Sequence, residues 1–174
     1  KLLGGPQAGL IVGRADLVAA IKRNPLRRTL RVDKMTVAAL SAVLAIYSDP
    51  DRLVTRLPVL RHLTRPFDEI RAAAERLQIA LAAVLDGVAT VRVLECQSQI
   101  GSGALPTRTI RSAGVAIAPH ARRGAGRSVE AIAAAFRRLP VPVIGRIQDD
   151  TFVLDVRCLD DESVFLAQVS RLDG

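Results

Sequence analysis

At 174 residues, with 49% hydrophobic and 24% charged side chains, the chain is long enough for one ordinary domain or two small ones and too apolar for disorder. Its longest uncharged stretch, Met35–Ser48, is fourteen residues, short of the ~20 that a membrane span needs, and two cysteines, Cys96 and Cys158, make neither a disulfide framework nor a metal site. The net charge of +8 is uneven: residues 1–40 carry +6, residues 41–148 carry +7 and residues 149–174 carry −5, and 22 of the 25 basic side chains are arginine. A basic front suits a polyanionic partner, nucleic acid or a phosphate ester, against the plainer alternative of a solvated basic surface. None of the five aromatic residues sits in a basic cluster, which speaks against a base-stacking platform for single strands. Free thiols suit a reducing, cytoplasmic setting. The opening Lys1-Leu2-Leu3-Gly4-Gly5 reads as the interior of a longer protein.

Residues 1–9 read as a Gly-rich loop, and the apolar run between Gly9 and Gly13 predicts a short buried strand. Asp16–Arg23 places Leu17, Val18 and Ile21 at helical spacing, and Pro25 stops that helix. Residues 25–33 are an irregular or capped turn. Asp33 or Thr36 then caps a helix through Tyr47, with Leu40, Leu44 and Tyr47 on one stripe. Pro50 and Pro58 bracket a short helix carrying Leu53 and Leu57. A long helix follows Pro66, from Phe67 to Leu85, with Ile70, Leu77, Leu81 and Leu85 inward and Gly87 at its end.

Beyond Gly87 the period shortens. Val88–Leu94 alternates like a strand, residues 96–107 read as a polar loop, and Ala113–Ala118 is a second strand. Ser128–Leu139 is a helix with Ser128 as its N-cap. Val141–Gln148 and Thr151–Val156 are strands joined in a hairpin at Asp149-Asp150, and Asp160–Leu172 is a closing helix. The fold class is thus mixed, α/β and α+β. Residues 1–65 are the tail of an α/β unit, residues 66–87 a linking helix, and residues 88–174 a small domain with an antiparallel sheet and two helices.

Five places carry candidate chemistry. His62 lies between leucines on a helix, where a packing or surface role is the commoner one. His120 opens a loop with Arg122, Arg123 and Arg127, either an anion nest before a helix or an exposed basic loop. Gly4 and Gly5 let the backbone approach another group closely, or simply make a connector. Residues 22–34 hold six basic side chains and one acid, and in that run Arg28 and Arg31 could share a face and grip phosphate oxygens, or sit in solvent. Lys1, next to the Gly-rich loop, is an amine able to form a Schiff base.

The strings KLLGGPQAGLIVG, NPLRRTLRVDKMTVAAL, RLPVLRHLTRP, QSQIGSGALP and PVPVIGRI occur in this order and together resemble the bacterial selenocysteine synthases, the L-seryl-tRNA(Sec) selenium transferases. The resemblance covers nearly the whole chain and places it in the C-terminal part of such an enzyme. It implies a fold-type-I pyridoxal phosphate enzyme in which Lys1 carries the cofactor, Gly4 and Gly5 face it, and Arg28 and Arg31 hold the phosphate of the selenium donor. The implied reaction turns L-seryl-tRNA(Sec) into L-selenocysteinyl-tRNA(Sec) with selenophosphate, through a cofactor-bound dehydroalanyl intermediate. The implied assembly is a homo-oligomer built from dimers, with no membrane association. Because the other parts of the cofactor site would lie upstream, the 174 residues alone are expected to be inactive. Two other readings stay open: a pyridoxal phosphate-dependent lyase acting on a small amino acid or sugar acid, and a non-enzymatic RNA-binding or assembly module. His120, Arg146 and residues 101–103 fall in family-like strings but receive no role.

Overall fold

A computed structural model describes residues 3–99, 108–120 and 125–172. The chain forms two compact units, one up to Thr64 and one from Arg65 onward.

The first unit is helical among its described residues. Helix α1 (Ala15–Arg23) is followed by a 3-10 turn at Pro25–Arg28, helix α2 (Lys34–Tyr47), a 3-10 turn at Pro50–Arg52, and two short helices, α3 (Leu53–Arg56) and α4 (Pro58–Thr64). Asp33 is the N-cap of α2: its carboxylate accepts from Thr36 N and Thr36 Oγ1, both at 2.8 Å. The run predicted as a buried strand at Gly9–Gly13 is instead unpaired, with Leu10, Ile11 and Val12 at 51%, 69% and 93% exposure. A strand exists only with a neighbour to take its backbone groups, and no described residue of this unit forms one. The expected stripe on α2 is also shifted. Leu44 is exposed, and Thr36, Leu40, Val43, Ile46 and Tyr47 are the half-buried positions. Leu57, just past α3, is the one buried apolar side chain among the described residues of this unit.

The second unit begins with helix α5 (Phe67–Val84), whose Ile70, Ala73, Ala74, Leu77 and Leu81 are buried. This helix, read from sequence as a link, belongs to the second unit and packs on strands β1 (Ala89–Gln99) and β2 (Thr109–Pro119). Helix α6 (Ala125–Arg137), strands β3 (Arg146–Gln148) and β4 (Thr151–Asp155), and helix α7 (Glu162–Val169) complete it. The sheet is antiparallel in the order β1-β2-β4-β3. Val91, Val115, Ile117, Phe152 and Leu154 face a core shared with α5, α6 and α7, where the rings of Phe136 and Phe152 lie 5.2 Å apart. Asp149 and Asp150, at φ 50° and 52°, close the β3–β4 hairpin in the left-handed conformation that a two-residue turn favours.

Several boundaries differ from the sequence reading, among them the second strand, which runs Thr109–Pro119, and the closing helix, which is Glu162–Val169. The loop expected from residue 96 begins later, because β1 runs on to Gln99 opposite Thr109; residues 100–107 lie outside the described residues. The strand expected over Val141–Gln148 shrinks to Arg146–Gln148, because the Gln168 amide takes both backbone groups of Val141, each bond at 2.9 Å. Ser128 is not the cap of α6. The helix starts at Ala125, since a glycine at 126 costs only about 1 kcal/mol and the apolar face beyond it repays continued winding.

Around Asp155, on the face of the sheet away from the core, Ser98 Oγ and Ser112 Oγ donate to the carboxylate at 2.5 and 2.7 Å and Arg157 N donates at 3.1 Å. These bonds satisfy a half-buried charge that would otherwise be costly. Nearby, Arg65 donates to the carbonyls of Val156, Arg157 and Leu159, which fixes the chain after β4.

Candidate functional site

Lys1 lies outside the described residues. The loop that follows it is described and well anchored. Tyr47 Oη, at the end of α2, donates to the Leu3 carbonyl at 3.1 Å. Gly4 adopts φ +76°, and a Cβ there would lie 2.6 Å from Val59 Cγ1. A Cβ on Gly5 would lie 2.9 Å from Val43 Cγ2. Both glycines therefore have a reason to be glycine that needs no ligand: the backbone is pressed onto α2 and α4 more closely than a side chain allows. No sequence signal pointed to Val43 or Val59 as the residues that enforce them. Leu3, Gly4, Gly5, Pro6, Gln7, Ala8, Leu10 and Leu40 line a hollow of about 140 Å³.

Arg28 ends the 3-10 turn at Pro25–Arg28, and Arg31 sits between that turn and α2. Both are exposed, and neither guanidinium makes a hydrogen bond or ion pair with another described residue. The neighbouring acid, Asp33, is engaged elsewhere: Thr36 N–H and hydroxyl hold its carboxyl below the usual range. The arginines thus remain available to an external anion. Helix α2 is the common mount. Its N-terminus carries the arginine loop, and Leu40, Val43 and Tyr47, beginning about 10 Å along the axis, carry the glycine loop.

The other candidates do not converge. Half-buried His62 is on α4, and His120 Nε2 lies 3.0 Å from Thr90 Oγ1 at the surface of the second unit. Arg127 is exposed on α6; Arg122, Arg123 and residues 101–103 lie outside the described residues. Arg146 stands 4.0 Å from Asp155, in a sheet with no other candidate beside it except Cys96, whose thiol burial pushes up. Among the described residues no group of three metal-binding side chains occurs.

The family model described as SelA, L-seryl-tRNA selenium transferase, matches residues 1–160. This chain belongs to the L-seryl-tRNA selenium transferase family. A protein of Methylocella silvestris named L-seryl-tRNA(Sec) selenium transferase is 53% identical over 174 residues, covering 100% of this chain and 36% of its own length. Relatives of the same name from Rhizobium meliloti and Klebsiella pneumoniae are each 54% identical, covering 100% and 98% of the chain and 37% and 36% of their own lengths. The chain spans about a third of these relatives.

Pyridoxal phosphate, the cofactor implied for a selenium transferase of this kind, needs cations or clustered N–H groups for its phosphate and a partner for its ring nitrogen. The described residues lining the hollow at Gly4–Gly5 include no charged side chain. They fit an apolar floor and not a complete cofactor site. No helix among the described residues is long and apolar enough to cross a membrane.

Proposed function

We propose that this chain is the part of a selenium transferase that contributes Lys1 and the donor-binding arginines, in an enzyme converting L-seryl-tRNA(Sec) to L-selenocysteinyl-tRNA(Sec) with selenophosphate. The carrying observation is the arginine loop: Arg28 and Arg31 pair with no other described residue, and they lie on the loop that leads into the helix anchoring the loop after Lys1. Two planar guanidinium forks suit the oxygens of a phosphate-bearing donor, and they would offset negative charge as selenium is delivered. In this reading Lys1 would be the amine that bonds to the aldehyde of pyridoxal phosphate, and once released it would carry the proton from the serine α-carbon. The cofactor, when bound, supplies an electron sink for bonds breaking at that carbon. The basic balance over residues 1–148, +13, supports a tRNA substrate. The full-length protein would act as a homo-oligomer built from dimers, as the resemblance implies, and the free thiols suit a cytoplasmic setting.

The test is on the full-length enzyme. Borohydride reduction followed by mass spectrometry should place the pyridoxyl label on Lys1, and Arg28→Ala or Arg31→Ala should raise the KM for selenophosphate at least tenfold with little change in the KM for seryl-tRNA. A label on another lysine, or an unchanged donor KM in both variants, refutes the assignment. The isolated 174 residues should show no turnover, because the described residues lining the Gly4–Gly5 hollow offer the cofactor's phosphate no charged partner.

A further inference from the structure

Granting Arg28 and Arg31 as the donor site, we infer that Asn24 and Asp33 are positioning residues that hold the arginine loop in its binding shape. Every side chain from Asn24 to Asp33 is exposed, so no packing fixes this ten-residue stretch. What fixes it is a side-chain acceptor at each end. Asn24 Oδ1 accepts from Leu26 N at 2.9 Å and starts the turn, and Pro25 supplies its first locked φ. The Leu26 carbonyl then accepts from Thr29 N and Leu30 N at 3.0 and 3.1 Å, which sets the path from Arg28 to Arg31. At the far end Asp33 holds Thr36 through two bonds and starts α2.

The chemistry of each cap also suits an anion site. Asn24 is neutral, so it shapes the turn without placing a carboxylate beside Arg27 and Arg28. Asp33 is charged, but its two oxygens accept from Thr36 and form no ion pair with Arg31. An unpacked loop has little else to restore its shape when a cap is lost, so the arginines would sample many arrangements and bind their anion less often in the right one.

The experiment uses the full-length enzyme with Asn24→Ala, Asn24→Ser, Asp33→Ala and Asp33→Asn, beside Arg28→Ala. Asn24→Ala and Asp33→Ala should each raise the KM for selenophosphate about fivefold, and the inhibition constant of inorganic phosphate by the same factor. The KM for seryl-tRNA and the rate at saturating donor should hold. Serine at 24 and asparagine at 33 each keep a neutral acceptor, and both should return the donor KM to within about twofold of the starting enzyme. The inference is overturned if the alanine variants leave the donor KM unchanged while Arg28→Ala raises it, if both substrates' KM values rise together, or if the conservative variants fail to rescue. If Arg28→Ala is silent as well, the donor-site reading falls along with it.

Discussion

The two units spend their apolar residues differently. From Arg65 onward, the sheet and three helices bury a continuous core that includes Ile70, Leu77, Val115, Phe136 and Phe152. Before it, only Leu57 is buried among the described residues, and twelve of the nineteen exposed large apolar side chains lie in this part, Ile11, Val12, Leu30 and Met35 among them. The second unit has the burial that a self-supporting fold requires; the first displays surface that a stable lone domain would cover. Yet the first carries the chemically suggestive residues. The lesson is that the candidate site is built on the part with the least stability of its own, held by caps and close glycine contacts more than by a core.

Separating the units gives the largest expected effect. Residues 65–174 alone should show a single cooperative thermal transition, whereas residues 1–64 alone should show none and should bind a hydrophobic dye; cooperative melting of the latter would break the contrast. Within the second unit, Phe136→Ala removes a fully buried ring that packs at a tilt against Phe152 and should cost about 3–5 kcal/mol in denaturant unfolding of residues 65–174. In the first unit, Gly5→Ala puts a methyl against Val43 and should lower the full-length protein's stability by about 1–3 kcal/mol, with Val43→Ala in the same chain recovering part of the loss.

The smallest effect is electrostatic. Glu162 and Arg76 meet at 2.7 Å, and the Arg76 guanidinium holds the Glu162 carboxyl below its usual range. A lowered acid contributes stability above its unfolded value, about 4.3, and loses it as pH falls through the folded one. The bridge is partly exposed, so solvent screens it and its contribution should be small. Thermal midpoints of residues 65–174 should therefore drop more steeply below about pH 4 for the natural sequence than for Glu162→Gln. Equal slopes would show that the bridge contributes nothing.

Much of the second unit is legible without coordinates, because its signals are local. The apolar spacing of Ile70, Leu77 and Leu81 identifies α5, and Asp149-Asp150 marks the hairpin. The misread boundaries were long-range. Gln168 captures Val141 from 27 residues away, and Ser98 is drawn into strand β1 with Asp155 as its partner 57 residues on. In the candidate site, the composition of Asn24-Pro25 and Asp33 signals two caps, but no local pattern says that Gly5 is pressed against Val43 or that Tyr47 reaches back to Leu3.

By itself the sequence determined the family and the helical and strand segments with strong periodicity, and it pointed to the arginines at 28 and 31 as candidates, since motif strings, side-chain spacing and charge are properties of neighbouring residues. Tertiary structure alone decided that Leu10, Ile11 and Val12 stay unpaired, that α5 joins the sheet's core, and that both loops ride on α2. Pairing, burial and close approach depend on which distant residues meet, and a strand pattern becomes a strand only when another backbone stands beside it.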